Sequence, residues 1–93
     1  MPNLPGNEII NKGFSDLRSK TVSPESLLIL SARIKLTRLG FNIPFSNTTE
    51  PSLKMFALLE EKHGNAAHSK YNALRRQLVS FMRAVQVRKN NMA

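Results

Sequence analysis

The fold is decided by residues 23–40, which read SPESLLILSARIKLTRLG. Ser23 is a preferred N-cap residue, Pro24 suits the first helical position, and Gly40 suits the position just after a helix end. We therefore predict a helix over about 24–39. Its apolar residues lie on two faces, one with Leu27, Leu30 and Ile34, the other with Leu28, Ala32, Leu36 and Leu39. A helix that is apolar on two sides is buried on both, so we expect it at the centre of an all-α bundle.

Three further helices are predicted around this central one. The N-terminal helix, about 8–19, is the weaker one, because Gly13 inside it costs about 1 kcal/mol relative to alanine. Pro51 and Gly64 are start and stop signals for a helix over about 51–63. The last helix covers about 66–88. The sequence thus predicts a small all-α bundle of three firm helices (24–39, 51–63 and 66–88) and a weaker N-terminal helix.

The organisation of the chain is predicted to be simple. Residues 1–7, with two prolines and a glycine, are expected to be a flexible N-terminal arm, and residues 8–93 a single helical domain. A chain of 93 residues suits one domain near the lower end of the usual size range. The loop over 40–50 contains Phe41, Ile43 and Phe45, which are too apolar for a solvated linker. We expect these three side chains to close one end of the core.

Composition and motifs exclude several classes of protein. The chain has no cysteine, which rules out disulfides and thiolate chemistry and agrees with a cytoplasmic protein. It has no signal-peptide pattern at its start, and its longest aliphatic run, 27–30, is too short for a transmembrane segment. His63 and His68 do not make a zinc ligand set, and no glycine-rich phosphate loop occurs. We therefore expect no metal, no cofactor and no enzymatic activity.

Charge is distributed very unevenly along the chain, whose net charge is +8. Residues 1–61 contain seven lysines and arginines together with all six acidic residues, whereas residues 62–93 contain seven lysines and arginines and no acid. Such segregation indicates a polyanionic partner, of which nucleic acid is the commonest and an anionic membrane and an acidic protein are the others.

The last helix has an apolar seam that starts at Ala67. Its apolar residues follow spacings of four and three, which is a heptad pattern that favours packing against a nearly parallel helix. The pattern lasts for only about two and a half heptads, which is too short to indicate a coiled coil by itself. Two interpretations remain open, namely a seam packed on the protein's own helices and a homodimer through Tyr71, Leu74, Leu78, Phe81 and Val85.

The opposite face of the last helix is polar and basic. At about 100° per residue, this face carries Ser69, Asn72, Arg76, Ser80 and Arg83. Lysine and arginine displace counterions from phosphates, while serine and asparagine can donate to phosphates or base edges. The residues predicted to contact nucleic acid are Lys70, Arg75, Arg76, Arg83, Arg88 and Lys89 for phosphates, and Ser69, Asn72 and Ser80 for bases.

The expected function is that of a small DNA-binding protein, such as a transcriptional regulator or accessory factor. Duplex DNA is preferred over single strands because the chain has only six aromatic residues, most of them at apolar positions. The basic helix either belongs to a helix-turn-helix with residues 52–63 or is laid along a groove by a dimer. The alternative function is that of an interaction adaptor or inhibitor that binds an acidic protein.

Overall fold

The computed structural model describes residues 6–44 and 46–92 of the chain. These residues form no strand and five α-helices, which are α1 (Asn7–Arg18), α2 (Pro24–Ser31), α3 (Arg33–Arg38), α4 (Pro51–His63) and α5 (Ala67–Met92). A single 3-10 turn, Gly64–Ala66, joins α4 to α5. The predicted small all-α bundle is confirmed, with a last helix that extends one turn beyond residue 88.

Most of the predicted arm and one residue of the predicted plug lie outside the described residues, namely residues 1–5 and Phe45. Gly6 and Asn7 are not part of a free arm, because they form the N-cap and the first position of α1. Phe41 and Ile43 are half-buried and pack against the core, as predicted for the loop after residue 40.

The start of α2 is held by the capping pattern that its sequence predicts. Ser23 Oγ accepts a hydrogen bond from the Ser26 backbone N–H at 3.1 Å, and Ser26 Oγ accepts one from the Ser23 N–H at 2.9 Å. Ser23 Oγ in turn donates to Asp16 Oδ2 on α1 at 2.6 Å. The Ser23 hydroxyl therefore accepts from a free backbone N–H at the start of α2 and also connects α2 to α1.

α2 lies at the centre of the bundle and contacts α1, α4 and α5. Four consecutive residues, Ser26–Ile29, are buried, which happens only when a helix is covered on more than one side. The other helices contribute to the same core. Its buried apolar members are Ile10, Leu27, Leu28, Ile29, Ala32, Leu36, Met55, Leu59, Ala67, Leu78 and Phe81.

The predicted helix over 24–39 is interrupted at Ala32, whose φ and ψ are −112° and 20°. The Ser31 hydroxyl donates to the Leu28 carbonyl at 2.7 Å, a local bond that competes with the regular helical ladder. The break redirects α3, so that Leu36 stays buried while Ile34 is 70% exposed. The prediction that Ile34 lies on a buried face with Leu27 and Leu30 is therefore wrong.

Gly40 ends α3 as predicted. With a φ of 99° it occupies the left-handed position that glycine tolerates best. The Gly40 N–H donates to the Thr37 carbonyl at 3.0 Å and the Phe41 N–H donates to the Leu36 carbonyl at 3.1 Å. These two bonds form a Schellman motif, which turns the chain so that Phe41 packs back onto the core.

Gly13 has a packing role that its helix propensity does not predict. An added Cβ at this position would lie 2.6 Å from Ile29 Cγ1 and 2.7 Å from the Glu25 carbonyl oxygen. The absence of a side chain is therefore what allows α1 to approach α2 so closely.

We predict that Gly13→Ala destabilises the protein by about 1–2 kcal/mol, because overpacking against a backbone carbonyl outweighs the gain of about 1 kcal/mol in helix propensity. Urea unfolding followed by circular dichroism measures the change. Ser15→Ala, at an exposed position of the same helix, is the matched control and should be neutral or slightly stabilising. A Gly13→Ala protein more stable than the wild type would show that α1 does not need this close approach.

Asp16 makes the stability of the fold depend on pH in the acid range. Hydrogen bonds from Lys12 and Ser23 lower the pKa of Asp16 below its ordinary value of 3.8. A carboxylate with a lowered pKa stabilises the fold above its ordinary value, and this stabilisation is lost as the pH falls through the lower, folded value. The difference in free energy of unfolding between the wild type and Asp16→Asn should therefore be constant near neutral pH and shrink below 3.8. A difference that persists undiminished in stronger acid would contradict this role.

Candidate nucleic-acid interface

α5 is a 26-residue helix that is buried along one face only. Leu78 and Phe81 are 1% and 4% exposed, and Tyr71, Leu74 and Val85 pack around them against the same core. The seam is thus occupied within one chain. A homodimer formed through the seam would require Leu78 and Phe81 to leave the core.

The face of α5 opposite the seam is exposed to solvent. All five of its predicted members, Ser69, Asn72, Arg76, Ser80 and Arg83, are exposed. Arg76 and Arg83 are seven residues apart, which places them about two turns and roughly 10 Å apart along the helix. We call these five residues the outer face of α5.

The other four predicted contact residues do not share this face. Lys70 is exposed on its flank. The Arg75 guanidinium lies 5.9 Å from the centre of the Tyr71 ring, a distance typical of a cation–π contact. Lys89 Nζ donates to the Leu39 carbonyl at 2.9 Å, and Lys89 and Arg88 both line a cavity near the end of the helix. The structure therefore separates Arg88 and Lys89 from the outer face.

Three basic residues of α3 adjoin α5, and the sequence analysis did not include them. Arg33, Lys35 and Arg38 line two neighbouring depressions of about 530 and 420 Å³ between α3 and α5. The α5 side of these depressions carries Arg75 and Arg83. We call these five residues the α3–α5 basic groove, and none of the residues that line it is acidic.

A sequence signal for the α3 residues did exist. No acidic residue occurs between Glu25 and Glu50, and all three basic residues of that stretch lie in α3. In the charge count for residues 1–61 these three basic residues are offset by acidic residues, but all of those acids lie outside α3.

No ion pair neutralises the positive charge of the outer face and the groove in the described residues. Lys12 Nζ lies 2.8 Å from Asp16 Oδ2 and 3.5 Å from Glu25 Oε1. Within residues 6–44 and 46–92, no other lysine or arginine lies within 4.0 Å of an acidic side chain. The outer face and the groove share Arg83, and both carry basic residues and no acid, so they have the same sign of charge and concentrate anions from solution.

The groove also contains exposed apolar side chains. Ile34 is 70% exposed and Val79 is 38% exposed, and both lie among the groove arginines. Single exposed apolar residues are common on proteins, but two of them within a basic groove give it an amphipathic character.

The described part of the chain offers no metal site and no membrane-spanning helix. It contains no group of three or more histidine, cysteine or acidic residues placed to hold a metal ion, and none of its helices is long and apolar enough to cross a membrane. His63 and His68 are both exposed, and the His68 ring lies edge-on to Phe56 at 5.9 Å.

Comparisons with protein-family models, with curated proteins and with solved structures find no match for this chain. What the basic surface binds is therefore inferred from its own geometry and charge.

Proposed function

We propose that the protein binds duplex DNA through the outer face of α5 together with the α3–α5 basic groove, as a small regulator or accessory factor. The observation that carries this proposal is a set of six basic side chains without a paired acid, five of them lining the groove between two helices and the sixth exposed on the outer face of α5. The six are Arg33, Lys35, Arg38, Arg75, Arg76 and Arg83.

Phosphate neutralisation supplies the affinity in this proposal. Each phosphate that a lysine or arginine neutralises releases condensed counterions, so binding weakens as salt rises. Arg75 is partly engaged with Tyr71, which leaves five basic side chains free to contact phosphates. For five contacts, the logarithm of the binding constant should fall with the logarithm of salt concentration with a slope of about −4.5.

Duplex DNA is favoured over single strands by the placement of the aromatic residues. Single-stranded nucleic acid is bound by bases that stack on exposed rings. Every aromatic side chain in the described residues is buried or half-buried, including Tyr71 and Phe56, whose rings contact each other at 5.8 Å. Ser69, Asn72 and Ser80 are the neutral polar side chains of the outer face and would provide any contact with bases.

The DNA proposal predicts a specific response to charge removal. Arg76→Gln/Arg83→Gln should reduce the magnitude of the salt slope by about 2 and weaken binding on the order of a hundredfold at about 50 mM salt. Arg33→Gln/Arg38→Gln should have a similar effect, because α3 lies beside the same surface. Fluorescence anisotropy with a labelled random duplex measures both quantities.

The matched control for these variants is Lys54→Gln/Lys62→Gln. It removes the same amount of charge from exposed positions of α4 that line neither depression. It should change affinity only slightly, through net charge. No binding at micromolar protein in low salt, or an equal loss in the control, would overturn the proposal.

A second candidate, binding of an acidic protein segment, is favoured by Ile34 and Val79 in the basic groove. An amphipathic helix anchors apolar residues in a groove, and acidic residues on its flanks would meet Arg38 and Arg83. The phosphate contacts of the DNA proposal make no use of the two apolar side chains.

The two candidates are separated by Ile34→Ser/Val79→Ser, which removes apolar surface and no charge. The probe is an amphipathic helical peptide with leucines on one face and glutamates on the other. If an acidic helix occupies the groove, this variant should bind the peptide at least about tenfold more weakly, because each buried aliphatic side chain contributes about 1.5–3 kcal/mol. Its affinity for duplex DNA should be unchanged. Unchanged peptide binding would exclude this second candidate.

A further inference from the structure

A cavity of about 560 Å³ lies between α1, the loop that follows α3, and the C-terminal half of α5. It is separate from the proposed DNA surface. Arg88, which lines it, follows Arg83 by five residues, so the two arginines point about 140° apart around the helix. Its floor is apolar and is made by Ile10, Phe14, Phe41, Phe81 and Val85.

Three aromatic rings make this floor continuous. The Phe14 and Phe41 rings are stacked with centroids 5.8 Å apart, and the Phe41 and Phe81 rings are tilted with centroids 5.6 Å apart. Such ring pairs hold one another in place, so the floor has a defined shape before any ligand arrives. Flat aromatic or aliphatic groups suit a surface of this kind.

The rim of the cavity is cationic. Arg18 comes from the end of α1, and Arg88 and Lys89 come from α5. The Lys89 ammonium is held at the rim by its hydrogen bond to the Leu39 carbonyl, at 2.9 Å. Arg18 and Arg88 have no acidic side chain within 4.0 Å in the described residues, and no acidic residue lines the cavity.

We infer that this cavity binds a small amphipathic carboxylate, with an aromatic or short aliphatic body on the phenylalanine floor and the carboxylate at the rim. Ligand sites are typically 300–1,000 Å³ clefts with mostly apolar walls and a few placed polar groups, and this cavity has that composition. The planar guanidinium groups of Arg18 and Arg88 match a carboxylate better than a point charge does. Amides at the rim, from Asn7, Asn11 and Asn42, supply further donors.

Titration with 2-naphthoate tests the inference, with the uncharged 2-naphthamide as the matched ligand. Calorimetry and NMR on the full chain should show saturable one-to-one binding of the carboxylate, at least about tenfold tighter than the amide, because the rim contacts are charge-assisted. Contacts between naphthyl protons and the rings of Phe14 and Phe41 should locate the ligand.

Two variants with equal charge removal distinguish this site from general attraction of anions. Arg18→Gln/Arg88→Gln changes exposed residues and should abolish the preference for the carboxylate over the amide. Arg76→Gln/Arg83→Gln, on the outer face, should leave it intact. A larger side chain on the floor, Val85→Trp, should block both ligands, and circular dichroism checks that each variant folds.

Three outcomes would overturn the inference. They are non-saturable binding, equal affinity for 2-naphthoate and 2-naphthamide, and equal loss in the two arginine variants. None of these measurements involves nucleic acid, so the inference stands or fails independently of DNA binding.

Discussion

The close approach of α1 to α2 at Gly13 is the constraint on which the rest of the structure depends. With no side chain at Gly13, the α1 backbone lies against Ile29 and the Glu25 carbonyl, where a Cβ would be only 2.6–2.7 Å from its neighbours. This contact covers one side of α2, and α4 and α5 cover others. Because protein interiors are close-packed, a wider spacing between α1 and α2 would leave a void beside Ile29, which is fully buried.

The same contact organises the charges. Lys12 on α1 lies within ion-pair distance of both Asp16 and Glu25, and Asp16 also accepts a hydrogen bond from Ser23 at the start of α2. Two of the six acidic residues are thereby used to join α1 to α2. They are thus unavailable to balance the basic residues of α3 and α5, and a surface of one sign is left between those two helices.

The interruption at Ala32 places α3 so that it forms one wall of the basic groove, with α5 as the other wall. A straight helix through residue 39 would have kept Ile34 in line with the buried Leu27. The break instead turns α3 so that Leu36 remains in the core while Arg33, Lys35 and Arg38 line a groove with α5. The Schellman turn at Gly40 then returns Phe41 to the core, where its ring meets Phe14 and Phe81 and forms the floor of the cavity. A basic groove along α3 and a cation-rimmed cavity beyond its C-terminal end thus both depend on the course of one short helix.

The sequence alone determined the helical class, the ends of the predicted helices to within about one turn and the exposed outer face of α5, but not the break at Ala32. Helix caps such as Ser23 and Gly40 depend only on residues close to them in the sequence, and so does a seven-residue apolar repeat. Such local patterns can be recognised without knowledge of the tertiary structure. It did not determine whether the seam faced its own core or a second chain, because the heptad pattern is the same in both cases. Nor did it place α3 beside α5 or bring Arg88 and Lys89 to one cavity with Arg18. Those relations depend on how helices distant in sequence pack, and the packing rests on contacts such as the one at Gly13, which helix propensity alone counts only as a cost.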